Sequence, residues 1–202
     1  LSDLYDTATY PGKRCLFQYP QYGATLESAL LADGVAAEDL YPLDVDRAFA
    51  KLDTIKDDIV WWSDGEEVVR LMAAGECDLG ITWSGRTYNG VVNNGAPLAI
   101  AWGEAMTMIS TYGIPKGAPN VDAAQALLSM WVRDLDGQEA MLTKIPYVNP
   151  IIPLAERGFP ENLQPWLAAG DNLETTFAED SEYYGAELAE LSPTFDAWVS
   201  KG

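Results

Sequence analysis

The sequence has no histidine and only two cysteines, Cys15 and Cys77, among its 202 residues. Without histidine there is no imidazole for a general base, for a Ser-His-Asp or Cys-His triad, or for a histidine-rich zinc site. Two widely separated cysteines also form neither a CxxC motif nor a metal-binding cluster. We therefore expect no metal, no cofactor and no catalytic residues.

Basic residues and long apolar runs are also scarce. Twelve Lys and Arg stand against 31 Asp and Glu, which gives a net charge of -19. Such a surface repels phosphates, which excludes nucleic acid as a partner and disfavours anionic membrane surfaces. No apolar run approaches the ~20 residues of a membrane span. The acidic surface favours a soluble monomer.

What is present is an alternation of strand and helix patterns, which predicts an α/β fold with a largely parallel sheet. Residues 13–19, 58–62 and 77–83 are predicted strands. Ser63 and Glu66 resemble a capping box at the start of the helix after the second strand. In open α/β sheets, ligands bind outside the carboxyl ends of strands. The candidate site therefore comprises the segments that follow the three strands.

Aromatic side chains occur in all three of these segments. Trp83 presents a ring face for apolar or cation–π contact with a ligand, although a tryptophan at a strand end can also belong to the core. Tyr22 is either a cleft wall or an ordinary turn residue. Trp61 and Trp62 alternate faces on one strand, and Trp62 is predicted to lie nearer the rim.

Arg86 is the candidate for binding an anionic group. It follows Ser84 and a glycine, so backbone N–H groups near Ser84 can assist binding. A guanidinium donates planar, bidentate hydrogen bonds to a carboxylate or phosphate. The alternative is a surface ion pair in an acidic protein.

Three ordered sets of motifs resemble the polyamine-type (spermidine/putrescine) extracellular solute-binding family of ABC transporters. They are KRCL at 13–16; IVWW at 59–62 with AGECDLG at 74–80 and WSGR at 83–86; and YGIPKGAPN at 112–120. The resemblance implies a type II periplasmic-binding-protein fold, periplasmic localisation, a small-molecule ligand and a membrane permease as partner. It also implies binding without catalysis.

The resemblance implies a domain division as well, because members of this family are longer than this chain. Residues 1–108 would form most of the second lobe, and 109–150 a return segment belonging to the first lobe. Residues 151–202 would pack back on the second lobe. The missing first-lobe segment is then an expected partner.

The departures from the family pattern bear on the ligand. Positions that carry carboxylates in polyamine binders fall near Met108, Ser110, Ala24 and Arg86 here, and 105–112 contains no carboxylate. A buried ammonium group needs such a partner. We therefore expect a carboxylate-bearing or zwitterionic ligand, an amino acid or an ω-amino acid such as 4-aminobutyrate. Its amine would need Asp64, Glu104 or an acid from the missing lobe.

Three alternatives stay open at this point. The first is a polyamine ligand, as in the family's named members. The second is an enzyme on the same fold, a thiaminase-like protein with a nucleophilic cysteine. The third is the ligand-sensing domain of a regulator, although the chain contains no basic DNA-binding segment.

The two cysteines test the predicted topology. Doubly wound lobes of this type place the first strand between the second and the third. Cys15 in the first strand and Cys77 at the start of the third are then on neighbouring strands, ~4.8 Å apart. This spacing permits a disulfide, while two buried free thiols are the alternative.

Overall fold

The main sheet has three parallel strands in the order β2-β1-β3. In the computed structural model, which describes residues 1–201, they are β1 (Arg14–Phe17), β2 (Ile59–Trp62) and β3 (Leu79–Gly80). Cys15 of β1 is in register with Val60 on one side and Gly80 on the other. The predicted strand order is confirmed, and all three carboxyl ends lie at one edge of the sheet.

The helices and the remaining strands complete an α/β fold. The α-helices are α1 (Thr25–Ala32), α2 (Val45–Leu52), α3 (Gly65–Ala73), α4 (Ser84–Tyr88), α5 (Val121–Trp131), α6 (Leu135–Leu142), α7 (Ile152–Arg157) and α8 (Ser181–Val199). A second, two-stranded parallel sheet joins β4 (Met106–Thr107) to β5 (Phe177–Ala178). Within residues 1–201, no helix combines the length and apolar character needed to cross a bilayer.

Helices cover both faces of the main sheet. On one face, Leu16 of β1 contributes to a core built largely from α1, α2 and α8. On the other face, Cys15 and Phe17 contribute to a core that includes α3. This alternation follows from the two-residue period of a strand, and each fully buried leucine contributes about 2 kcal/mol of hydrophobic stabilisation. Because both faces are buried, β1 is apolar at every position but Arg14.

The tryptophans of β2 lie on opposite faces, as predicted, but the position assigned to Trp62 at the rim is wrong. Trp62 is only 1% exposed and lies in the core beneath α3. Trp61 is half-buried on the other face, where it packs against Phe195 and Trp198. Since helices cover both faces, neither ring stands free in a cleft.

The cap of α3 also differs from the sequence-based expectation. Asp64, rather than Ser63, is the N-cap, and its carboxylate accepts hydrogen bonds from the backbone N–H groups of Glu66 and Glu67. Glu67, rather than Glu66, then reaches back to the Ser63 N–H at 3.0 Å. The pattern is that of a capping box one residue later than predicted, except that Glu67 bonds the N–H of the residue before the N-cap rather than that of the N-cap itself.

Cys15 and Cys77 form a disulfide, with 5.7 Å between their Cα atoms. Cys77 lies two residues before β3 rather than inside it. The link therefore joins the central strand to the turn that leads into its neighbour. Both residues are buried, at 0% and 3% exposure.

Helix α5 presents apolar side chains to the surface. Leu127 is 58% exposed and Met130 is 61% exposed, and α5 contains no buried residue. A helix of this composition is ordinarily covered on one face.

Candidate functional site

An aromatic cluster lies at the carboxyl ends of the three main strands. Phe17 is its centre, with ring centroids 4.4 Å from Trp62, 5.2 Å from Tyr19 and 5.6 Å from Trp83. Trp62 and Trp83 meet edge to face at 5.4 Å. Trp62 forms the buried floor of this cluster, while the half-buried Trp83 and the 47% exposed Tyr19 reach the surface.

Trp83 and Tyr22 are joined directly, although they follow different strands. The indole Nε1–H of Trp83 donates to the backbone carbonyl of Tyr22 at 2.9 Å. The side chain of Tyr22 is 52% exposed. The structure thus brings these two predicted residues together at one edge, with Trp83 as a fixed ring and Tyr22 as an exposed one.

Arg86 lies on α4, two residues after the half-buried Ser84. Its Nη1 donates to Glu66 at 3.0 Å, and its side chain remains 37% exposed. The ion pair that sequence reasoning kept as an alternative is therefore present. A guanidinium carries five N–H donors, so one such contact leaves it able to bind a second carboxylate.

Tyr147 is a residue of this region that sequence reasoning missed. A Cβ added to Gly85 would lie 2.6 Å from its ring, so the tyrosine is in close contact with α4 beside Arg86. Burial raises its pKa, and the positive charge of Arg86 opposes this. The available signal was an aromatic residue between Pro146 and Pro150 in a proline-rich connection.

Met108 and Ser110 follow β4, and both are exposed. The carboxyl end of β4 lies close to that of β5, because Glu179 N–H donates to Thr107 O at 2.9 Å. Glu179 in turn contacts the backbone N–H of Tyr22 at 3.1 Å. The ends of β4 and β5 therefore adjoin the turn after β1, and Glu179 is a carboxylate at this edge that sequence reasoning also missed.

The two acids proposed for a ligand amine have other contacts. Asp64 caps α3, as described above. Glu104 precedes β4 and so lies toward the opposite, amino-terminal edge, where it accepts hydrogen bonds from Ser2 N–H and Ser2 Oγ, each at 2.8 Å. Glu104 is thus placed away from Trp83 and Tyr22.

A buried carboxyl group lies behind the turn after β1. Glu27 of α1 is 0% exposed, and its Oε1 is 2.7 Å from the hydroxyls of both Tyr41 and Tyr184. The single hydroxyl hydrogen of Tyr184 faces both Glu27 Oε1 and Pro20 O, the latter at 2.9 Å, so it can satisfy only one of these acceptors at a time. A protonated Glu27 can instead donate to the Tyr184 oxygen. Burial raises the pKa of Glu27, and the two tyrosine bonds oppose this only in part.

Glu27→Gln is expected to gain stability relative to the wild type as pH rises. Below the ordinary glutamate pKa of 4.5, both folded and unfolded wild type hold the proton. Above it the unfolded chain ionises first, so wild-type stability falls by up to about 1.4 kcal/mol per pH unit until the folded pKa is passed. Glutamine does not titrate. Urea unfolding between pH 4 and 8 measures the difference in the free energy of unfolding, and the exposed Glu187→Gln is the control. If the free energy of unfolding of Glu27→Gln and of the wild type changed in parallel with pH, Glu27 would not have a raised pKa in the folded protein.

A parallel α/β sheet covered on both faces, with aromatic and charged side chains at its carboxyl edge, is the arrangement in which doubly wound α/β lobes bind ligands. Residues 1–169 match the family described as bacterial extracellular solute-binding protein. The chain belongs to this family.

The similar proteins include a gamma-aminobutyric acid-binding protein of Pseudomonas aeruginosa, 34% identical over 99% of this chain and 57% of its own length. A solved structure described as the Atu4243 GABA receptor has a TM-score of 0.84 at 33% identity, over 100% of this chain and 61% of that one. The structure of an ABC-transporter substrate-binding protein from Bradyrhizobium japonicum has a TM-score of 0.82 at 31% sequence identity. That match covers 98% of this chain and 61% of the other. The chain thus spans about three-fifths of the length of these relatives.

Proposed function

We propose that this chain is part of the periplasmic substrate-binding component of an ABC transporter. It binds a small carboxylate-bearing or zwitterionic ligand, an amino acid or an ω-amino acid such as 4-aminobutyrate. The observation that carries the proposal is the grouping of Trp83, Tyr22 and Arg86 at the carboxyl edge of the sheet. Two relatives named for gamma-aminobutyric acid support the ligand class.

Each group in this arrangement has a chemical task. The Trp83 ring, fixed by its bond to Tyr22, packs against the aliphatic part of the ligand. Arg86 receives the ligand carboxylate, and Ser84 lies beside it at the start of α4. Met108 and Ser110 lie near positions that carry carboxylates in polyamine binders. Here they extend the same edge with an apolar and a neutral polar side chain.

We also propose that residues 1–108 and 151–202 build the second lobe and that 109–150 return to the first lobe, with Tyr147 packing against α4 where the two lobes meet. The exposed apolar side chains of α5 support this, because Leu127 and Met130 would be covered by the first lobe. The protein acts as a monomer that delivers its ligand to a membrane permease. The isolated chain would then hold half of the cleft and bind weakly.

A polyamine ligand is the second candidate, and Glu179 is the observation that favours it. Its carboxylate is half-buried at the edge, beside Tyr22. A carboxylate in such a place can pair with an ammonium group, which the 105–112 segment cannot do.

Catalysis is not part of this proposal. The thiaminase-like alternative required a thiolate nucleophile, and Cys15 and Cys77 are joined to each other in a buried disulfide. The chain's relatives named above are binding proteins or receptors.

Arg86→Ala is expected to weaken the binding of carboxylate ligands by more than tenfold, ~1.4 kcal/mol, because a desolvated carboxylate loses its cation. Calorimetry on the protein with both lobes, with 4-aminobutyrate, α-amino acids, dicarboxylates, putrescine and spermidine, measures this effect. Preference for the polyamines over every carboxylate would reject the proposed ligand class.

The matched control is Glu66→Gln, which removes the ion pair but keeps the guanidinium. If Arg86 binds the ligand, Glu66→Gln keeps or raises the affinity while Arg86→Ala lowers it. Equal affinities for both variants and the wild type would leave Arg86 as a surface ion pair only.

A further inference from the structure

The turn after β1 has a backbone conformation that its sequence does not favour. Tyr22 and Ala24 have φ angles of 68° and 48°, in the left-handed region. This conformation costs roughly 1–2 kcal/mol for a residue with a Cβ. Two such residues flank Gly23, so contacts from elsewhere in the fold must hold the turn. Strain of this kind is concentrated at functional sites.

Both peptide groups of Tyr22 are held by side chains from other elements. Its N–H donates to Glu179 Oε2 at 3.1 Å, and its carbonyl accepts from Trp83 Nε1 at 2.9 Å. Glu179 Oε1 also accepts from Gln21 Nε2 at 3.2 Å. Tyr22 is thus clamped between the segment after β5 and the segment after β3.

The rest of the turn is fixed from behind. The Tyr184 hydroxyl bonds Pro20 O at 2.9 Å. A Cβ at Gly23 would lie 2.3 Å from the Phe17 side chain, so the turn backbone is in close contact with the strand it follows. The exposed Tyr22 side chain, by contrast, projects from this fixed backbone at the edge where the ligand is proposed to bind.

We propose that Glu179 is a positioning residue that fixes Tyr22 as one wall of the ligand site and does not itself bind the ligand's charge. The inference rests on the proposed function. Each oxygen of Glu179 accepts one N–H, from Gln21 and from Tyr22, so its contacts in the structure are to the turn rather than to a cationic side chain. A preorganised wall raises affinity because the protein loses less conformational freedom on binding.

Glu179→Ala and Glu179→Gln separate positioning from direct binding. Glutamine keeps a carbonyl acceptor for the Tyr22 N–H but carries no charge. We expect Glu179→Ala to weaken binding of the best carboxylate ligand by at least about tenfold, and Glu179→Gln by less than about threefold, by calorimetry on the protein with both lobes. Glu187→Ala, an exposed acid on α8, is the control and should leave affinity unchanged.

Two results would overturn the proposal. A loss for Glu179→Gln as large as that for Glu179→Ala would show that the charge acts on the ligand. Unchanged affinity in both variants would show that the clamp has no role in binding.

A ligand-free readout keeps the test independent of the proposed function. Amide hydrogen exchange at Tyr22, whose N–H donates to Glu179, should accelerate at least about tenfold in Glu179→Ala and stay near wild type in Glu179→Gln. Unchanged exchange in Glu179→Ala would refute the clamp itself. If the wild type binds nothing in the ligand panel, the proposed function fails while the exchange experiment still decides whether Glu179 holds the turn.

Discussion

Replacing Cys15 and Cys77 together by alanine is expected to lower the free energy of unfolding by about 4 kcal/mol. The two cysteines are 62 positions apart, and the chain between them contains α1, α2, β2 and α3. A crosslink across so long a loop restricts the unfolded chain strongly, and its loss restores that freedom. Urea unfolding followed by tryptophan fluorescence measures the difference.

Reduced wild type is the matched control for this variant. It keeps both sulfur atoms in the core, so it separates the crosslink from the packing of two small apolar side chains. We expect reduced wild type to lose most of the stability that the double variant loses. If the free energy of unfolding fell by less than about 1 kcal/mol in both the double variant and the reduced wild type, the disulfide would not be a main source of stability.

Arg14→Met is expected to lower the free energy of unfolding by about 3 kcal/mol, because a fully buried guanidinium is the donor for three backbone carbonyls. Arg14 is 0% exposed, and its Nε donates to Leu4 O at 2.8 Å. Its Nη1 and Nη2 bond the carbonyls of Gly12 and Tyr10. Methionine fills similar volume but leaves all three acceptors without a donor.

The segment before β1 should loosen first in this variant. Amide exchange and proteolysis around residues 5–12 should increase more than in the main sheet, because Arg14 joins that segment to β1. Arg70→Met is the control, because it removes a 65% exposed side chain whose acid partner is 3.9 Å away. We expect it to change the free energy of unfolding by no more than about 0.5 kcal/mol. Equal stability of Arg14→Met and Arg70→Met would refute the proposed role of Arg14.

Much of the fold follows from local sequence patterns and general rules of topology. The order β2-β1-β3 was predictable because parallel strands joined by helices follow a restricted set of connections. Adjacency of Cys15 and Cys77 followed from that order, while the bond depended on side-chain direction and register. The family was indicated differently, by the resemblance of three ordered sets of motifs to extracellular solute-binding proteins, and the match over residues 1–169 confirms it.

The candidate site was predictable only in part. Strand ends located Trp83, Tyr22 and Arg86, because parallel strands place their carboxyl ends at one edge. Trp62 was assigned wrongly to the rim, because alternation separates two faces without telling which layers cover them. Here α3 covers Trp62, and α8 covers Trp61.

The sequence by itself determined the absence of histidine chemistry, the acidic surface, the α/β pattern and the strand ends where a ligand can bind. Only the tertiary structure decided which side chains meet there. Glu179 contacts Tyr22 across 157 positions, and Arg86 pairs with Glu66 across 20. Local periodicity reports which residues are buried within one element. Contacts between elements depend on how the helices and strands pack, and that packing placed Glu179 against the turn that carries Tyr22.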